Sequence, residues 1–343
     1  MRSTSGRVVA LAGISLLLFG AWFVSNAYPF GGQGEAVVVH VSSGETVSQL
    51  AQQLAADKVI GSTLAFRLDT SIFGSPVLEP GYFQINQNSS FDQVRSVFNG
   101  TPNAEVVSLS PGLTLREVEA QISEAAGTDF ARAFDAAEKS ATTHSPWMTA
   151  GDVATASANT AHPLEGLMGS GQYVIGPHES AASLVQRMQD RFTRQAAASG
   201  ITPTTNLHGL SAYQLVIAAS IVEKEGYYPV NMPKVARVIV NRLDRGMLLR
   251  MDSTVLYALG QDGGTVTSAM LRTQTPYNTY LHEGLTPTPI CVVSHFALDA
   301  IRQPPAGQWL YFTLISKDGT MAFSNTFAQQ LANERLAASR GIL

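Results

Sequence analysis

The chain has 343 residues, enough for two or three domains, with a formal net charge of −4 and charged side chains at only 14%. That balance excludes a nucleic-acid binder relying on bulk positive charge, and a single cysteine, Cys291, excludes an intramolecular disulfide or a cysteine-based metal cluster. The seven histidines show no HExxH-like spacing, so neither a metal site nor any other cofactor is expected.

Arg2 and Arg7 precede an uncharged run that ends at Asn26, and its core over 8–24 is apolar apart from Ser15 and two glycines. This is close to the ~20 residues that span a bilayer. No Lys or Arg follows until Lys58, so the positive-inside rule predicts a cytoplasmic stub (1–7), an anchor in the cytoplasmic membrane (8–24) and an exported remainder. A cleaved signal peptide is the competing reading, but Ser25-Asn26-Ala27 is a weak cleavage site. A tether over 25–36 follows, with Gly31-Gly32-Gln33-Gly34 as its flexible part.

Beyond the tether, Val37–Val41 and Gly81–Ile85 read as strands, and Phe91–Phe98 reads as a helix capped by Ser90. A short internal repeat relates Val41–Leu54 to Leu109–Ile122: strand, Gly turn, Thr46 or Thr114 as cap, then an amphipathic helix. From about Gly127 to Gly200 the chain is rich in Ala, Ser and Thr, with an amphipathic helix over Ser183–Ala198 carrying Leu184, Met188 and Phe192 on one side.

The next helix is the most informative. Ser211 and Gln214 form a capping-box pattern ahead of Leu215-Val-Ile-Ala-Ala-Ser-Ile-Val-Glu223-Lys-Glu225-Gly226. Gly226 is read as the left-handed residue that ends it. Helical phase puts Leu215, Ala218, Ala219 and Val222 on one face, with Glu225 near its edge, Glu223 further round and Lys224 pointing away. A carboxyl against an apolar surface resists ionisation, which is what a general acid needs near neutral pH. The plainer alternative is a solvated helix end carrying three charges.

A helix over Pro233–Arg245 ends in Asn241-Arg242, and Asp252-Ser-Thr254 opens the following segment. Tyr277-Asn278-Thr279-Tyr280 comes next, then a buried strand, Trp309–Ile315, a turn into Ala322-Phe323 and a last helix from Thr326 to Ser339. Tyrosines interleaved with amides and hydroxyls suit a sugar, which offers apolar faces and ring hydroxyls. Asp252 as a helix cap and the tyrosine segment as a packed turn are the ordinary alternatives.

Taken in order, Ala219–Glu225, Val240-Asn-Arg-Leu243, Gly246-Met247, Asp252–Tyr257, Thr275–Tyr280, Gly284-Leu285 and Leu310-Tyr-Phe312 resemble the MltG (YceG-like) family of membrane-anchored endolytic murein transglycosylases. The resemblance covers most of 206–330 and extends more weakly to 37–125, with Leu164-Glu165-Gly166 as a further shared element. Four stretches depart from the family pattern, one being Thr286-Pro-Thr-Pro289, which is all that is present of a Pro-Pro-Gly-Pro-like element. Leu167–Tyr173 stands where the family carries an aromatic-Pro-Asp-Thr run, and Met321-Ala-Phe323 and Gln329-Gln-Leu331 lack the family's histidines.

The resemblance implies an α+β protein: an N-terminal membrane helix, a small LysM-like module (37–125), a connecting helical region (126–205) and a mixed α+β catalytic domain (206–343). It implies Glu225 as the catalytic residue, peptidoglycan glycan strands as substrate, and peptidoglycan synthases as neighbours, with no nucleic-acid partner. Glu223, Asn241, Arg242, Asp252, Thr254, Tyr277, Asn278, Thr279 and Tyr280 are the candidate substrate-binding residues. Two other function classes are carried as alternatives: a non-catalytic peptidoglycan-binding or division-scaffold protein, and a muramidase-type hydrolase using Asp252 to activate water.

Overall fold

The computed structural model describes the backbone of residues 3–342 and the side chains of residues 13–342. Helices and small two-stranded sheets alternate, the α+β class expected, and the chain divides into two compact units.

The first unit comprises residues 1–106 and 174–179. It holds α1 (Ser3–Ala27), β1 (Ala36–Val41), α2 (Val47–Ala56), α3 (Thr63–Phe73), β2 (Gly81–Asn86) and α4 (Phe91–Phe98). Strands β1 and β2 pair antiparallel from Ala36↔Asn86 to Val41↔Gly81. Alternation puts Val39, Val41, Phe83 and Ile85 on the inner face, where Leu50, Leu54, Phe66, Phe91 and Phe98 complete a core. Thr46 with Gln49 and Ser90 with Gln93 close capping boxes at the starts of α2 and α4, so each helix begins where its sequence signal lies.

Trp22 and Phe23, near the end of α1, pack partly buried against this core, while Ile14, Leu16, Leu17, Leu18 and Phe19 are exposed. Among the described residues no helix is long and apolar enough to cross a membrane. The side chains of 8–12, the first part of the expected anchor, lie outside the described residues.

The second unit comprises residues 107–173 and 180–343. Strands β3 (Glu105–Leu109) and β4 (Gly171–Ile175) each contribute residues to both units. Between them lie α5 (Leu115–Ala126), α6 (Thr128–Thr142) and α7 (Ala150–Asn159). Then follow α8 (Ala181–Ala198), β5 (Asn206–Leu207), β6 (Leu210–Ser211), α9 (Ala212–Gly226), α10 (Met232–Leu243), α11 (Asp252–Ala258), α12 (His295–Arg302), β7 (Tyr311–Leu314), β8 (Met321–Ser324) and α13 (Phe327–Ser339). Both the second copy of the internal repeat and the 126–173 stretch fall in this unit with the candidate site.

Helix α9 is the axis of the second unit and packs against α10, α11 and α12. One apolar face was expected; instead every residue from Leu215 to Val222 is buried. The run carries no polar face to present to water, and a helix that is apolar all round belongs inside. The Ser211–Gln214 capping box is present.

Its carboxyl end differs from expectation. Gly226 remains helical and Tyr227 takes the positive φ of 57°. Gly226 is needed for space, since a Cβ there would lie 2.5 Å from Met232 Cγ. The expected buried strand at 309–315 is also shorter and half-buried, with only Thr313 fully inside. The reason is that β7 has β8 as its sole strand partner in a two-stranded sheet, covered by α13.

Candidate active site

The end of α9 presents two carboxylates to two different helices. Glu223 accepts from the backbone N and the Oγ of Ser294, at 2.8 and 2.5 Å, and Ser294 is the N-cap of α12. Glu225 accepts through Oε1 from the backbone N and the Oγ of Ser253, at 3.3 and 2.7 Å, in the first turn of α11. Its Oε2 has no hydrogen-bond partner among the described residues. Burial raises both carboxyls above the ordinary range. For Glu225 the bonds from Ser253 and the charge of Arg242 pull the other way, and the nearby Asp252 carboxylate adds to the rise.

Glu225 and Asp252 line two cavities. One, of about 440 Å³, is walled by Pro111, Gly112, Glu223, Lys224, Tyr227, Ser253, Tyr257 and Asp262. The other, of about 340 Å³, is walled by Arg242, Arg250, Tyr280, Tyr311, Phe327 and Gln330. The acid therefore sits between two recesses. A larger cavity of about 490 Å³, lined by residues of α6 and α8 with Trp147, contains neither glutamate and offers no acid–base pair of this kind.

Lys224 was expected to point into solvent. Its side chain is mostly buried, and Nζ donates to the Gly112 carbonyl at 2.9 Å and pairs with Asp262. The turn over 111–112 and the 262 loop close over this face of the helix end, which helical phase alone cannot reveal.

The candidate sugar-binding residues divide by what their polar atoms already hold. Tyr280 donates to Asp252 Oδ1 at 2.6 Å and faces the second cavity, so both stand beside Glu225. Burial and Asp252 together push the Tyr280 phenol up. Arg242 reaches the same cavity, but its guanidinium donates to the carbonyls of Leu310, at 2.7 Å, and Leu249, and lies under the Tyr311 ring.

Asn241 gives its amide to the carbonyls of Gly307 and Trp309, at 3.1 and 2.9 Å. Asn278 is wholly buried and donates to the carbonyls of Leu271 and Thr273. Thr279 accepts from Met251 N and meets Thr254 Oγ1, both at 2.9 Å, fixing the loop that leads into α11. Tyr277 bonds Thr288 at 2.8 Å and lines a separate cavity of about 250 Å³ with Glu165, His162 and Arg116. Of the segment 277–280, only Tyr280 stands beside the acid; Asn278 and Thr279 hold backbone, and Tyr277 holds the Thr288 hydroxyl.

Two residues are prominent here that the sequence did not single out for these roles. Ser253 is the direct partner of Glu225. Glu165 is 1% exposed, accepts from Leu115 N at the start of α5 and from the Tyr257 hydroxyl, and burial pushes its carboxyl up to about 8. Tyr257 walls both the Glu165 cavity and the Glu225 cavity. A serine in an Asp-Ser pair or a carboxyl in a Glu-Gly pair gives no sequence sign of such distant partners.

The departures from the family pattern are accommodated structurally. Tyr173 donates to the Gly169 carbonyl at 2.5 Å, and Gly169 lets its backbone approach Arg191 and Phe192. Gln330 donates to the Phe312 carbonyl at 3.2 Å and to Thr313, and lines the second cavity. Cys291 is buried, with its thiol pushed well up by burial, as an inert core residue should be.

The sequence pattern described as the YceG-like family matches residues 39–336. A Bacillus subtilis protein named endolytic murein transglycosylase is 27% identical over 315 residues, covering 89% of this chain and 86% of the relative. A Streptococcus pneumoniae protein of the same name is 23% identical over 311 residues, and the match spans 84% of this chain but only 56% of that longer relative. A crystal structure of a yceG-like protein from Listeria monocytogenes superposes with a TM-score of 0.58 at 24% identity, covering 87% of this chain and 98% of that one, which is a likeness of fold.

Proposed function

The chain belongs to the YceG-like family, and from that premise we propose that it is an endolytic peptidoglycan lytic transglycosylase with Glu225 as its acid and base. The observation that carries the reading is the position of Glu225: a carboxyl raised by burial, one oxygen fixed by Ser253, between two cavities that share it. A recess on each side of the acid suits a strand cut internally. The names borne by the Bacillus subtilis and Streptococcus pneumoniae relatives agree with it.

In the proposed reaction, protonated Glu225 donates through the free oxygen to the glycosidic oxygen between N-acetylmuramic acid and N-acetylglucosamine. The bond to C1 breaks and the N-acetylglucosamine side leaves with the proton. The carboxylate so formed takes the proton from the muramoyl 6-hydroxyl, whose oxygen closes on C1 to give the 1,6-anhydro ring. Glu225 ends protonated, as it began, and no water is consumed. One carboxyl therefore serves where hydrolytic glycosidases use two. Asp252, bonded to Tyr280, acts by raising Glu225 and shaping the groove rather than by activating water.

The β1–α2–α3–β2 order of the first unit, with its antiparallel strand pair, supports reading it as the LysM-like module. The exposed apolar residues Ile14, Leu16, Leu17, Leu18 and Phe19 of α1, with the uncharged stretch over 8–24, support a single-pass anchor in the cytoplasmic membrane with the bulk of the chain outside. On this reading the protein trims nascent strands beside the peptidoglycan synthases.

The test is mass spectrometry of murein sacculi treated with the full chain and with Glu225→Gln. Wild type is expected to release anhydro-ended muropeptides and the variant none, with folding intact. Reducing ends instead would identify a hydrolase. No new ends from wild type would identify a glycan-binding scaffold.

A further inference from the structure

Tyr227 follows the last helical residue of α9 with φ 57° and ψ −51°. Tyr228 N bonds the Gly226 carbonyl at 2.6 Å, so Tyr227 is the centre of the rare, strained form of γ-turn. A bulky L residue avoids this conformation, whereas glycine adopts it without steric cost.

The side chain gains little inside the protein in return. The residue is 65% exposed, and its hydroxyl has no hydrogen-bond partner among the described residues. It does line the cavity that contains Glu225, Lys224 and Asp262.

The neighbouring residues hold it there. Tyr228 meets the Tyr227 ring edge-on at a centroid distance of 4.9 Å. Tyr228 in turn lies on Gly319, in the turn between β7 and β8, where an added Cβ would come within 1.9 Å of its ring. The Asn231 side-chain amide donates to the Gly319 carbonyl at 2.9 Å and ties that turn down. A fixed base, a strained pivot and an exposed aromatic face two residues from the acid form a platform.

We propose that Tyr227 is a sugar-stacking residue that receives the apolar face of a pyranose on the Lys224–Asp262 flank of Glu225. Aromatic rings bind such C–H faces while leaving the ring hydroxyls to polar neighbours. The second flank carries Tyr311 and the exposed Phe327, 6.0 Å apart, so each recess has its own aromatic wall. This inference rests on the transglycosylase reading and adds a binding residue to it.

The test compares Tyr227→Ala, Tyr227→Trp and Tyr227→Gly in the full chain, with uncrosslinked glycan strands as substrate and release of anhydro ends as readout. Loss of the ring is expected to raise KM about five- to tenfold, and the tryptophan variant to return it to within about twofold of wild type. Tyr227→Gly is expected to have the same high KM as Tyr227→Ala but to melt about 2–4 °C above it, because glycine relieves the turn. Equal KM for wild type and Tyr227→Ala overturns the proposal. So does a tryptophan variant as impaired as the alanine one, which would make the ring a structural prop. If wild type releases no anhydro ends, the transglycosylase reading has failed instead. Co-sedimentation of the same variants with glycan strands then decides Tyr227, and equal binding of wild type and Tyr227→Ala overturns its role.

Discussion

Ser253 gives both its backbone N–H and its hydroxyl to the same oxygen of Glu225, at 3.3 and 2.7 Å. One carboxyl oxygen is thereby fixed while the other stays free for chemistry. Both bonds favour the ionised form and hold the rise in pKa in check.

Ser253→Ala removes the hydroxyl bond and keeps the amide. The Glu225 pKa then moves further up, so the alkaline limb of the pH–rate profile shifts to higher pH. The rate itself falls roughly tenfold as the carboxyl loses its orientation. A slower enzyme with an unshifted limb would show that Ser253 does not act on Glu225.

Glu225→Gln has a stability signature separate from its loss of activity. The folded carboxyl binds its proton more tightly than the unfolded one, so wild type loses stability as pH rises from the unfolded pKa through the folded one. The variant is expected to melt above wild type at about pH 8 and to converge with it near about pH 4. Differential scanning calorimetry across that range measures the gap; a constant gap contradicts the raised pKa.

Glu165→Gln extends the same argument to the buried carboxyl beside Tyr257. With its pKa pushed up to about 8, the wild-type group costs stability increasingly between the unfolded value near 4.5 and about 8. The glutamine keeps an acceptor for Leu115 N. The variant is expected to be more stable than wild type by a few kcal/mol at about pH 9 and equal to it at about pH 4. Chemical denaturation at the two pH values gives the answer. Lower stability of the variant at both would mean that the carboxyl is paired in a way not seen here.

Asn241 and Arg242 are expected to act on stability before they act on substrate. Each supplies donors to carbonyls of the 307–310 strand approach, and Arg242 also holds Leu249. Asn241→Ala should cost about 1–2 kcal/mol and Arg242→Met about 2–4 kcal/mol of unfolding free energy. Lysine at 242 should not restore the loss, since a point donor cannot replace the guanidinium fork. Urea unfolding measures both; unchanged stability with weakened glycan binding would return these residues to the substrate side.

Much of this architecture is legible in the sequence where the physics is local. Thr46, Ser90, Thr114, Ser211 and Thr326 all cap helices with their partners three residues on. Helical phase ranks Glu225 over Glu223 in the sequence, but the helix is buried on every side from Leu215 to Val222 and Lys224 is largely covered, so phase alone does not describe this end. What the sequence hides is long-range. The amide of Asn278 looks the same whether it will meet a sugar hydroxyl or the carbonyl of Leu271. Glu165 finds its partner 50 residues away, and Lys224 finds one 112 residues away. The tyrosine at 227 was silent because its meaning lies in a backbone angle.

The two recesses that share Glu225 have a consequence for the polymer. An acid at the end of a blind pocket measures every product from a strand terminus. On the proposed reading, an acid with a recess on each side lets the strand extend both ways from the cut. Fragment length then records time rather than distance: how far synthesis has advanced before the strand next settles across Glu225. Strand lengths made beside such an enzyme should follow a broad, kinetically set distribution that shortens as its abundance rises.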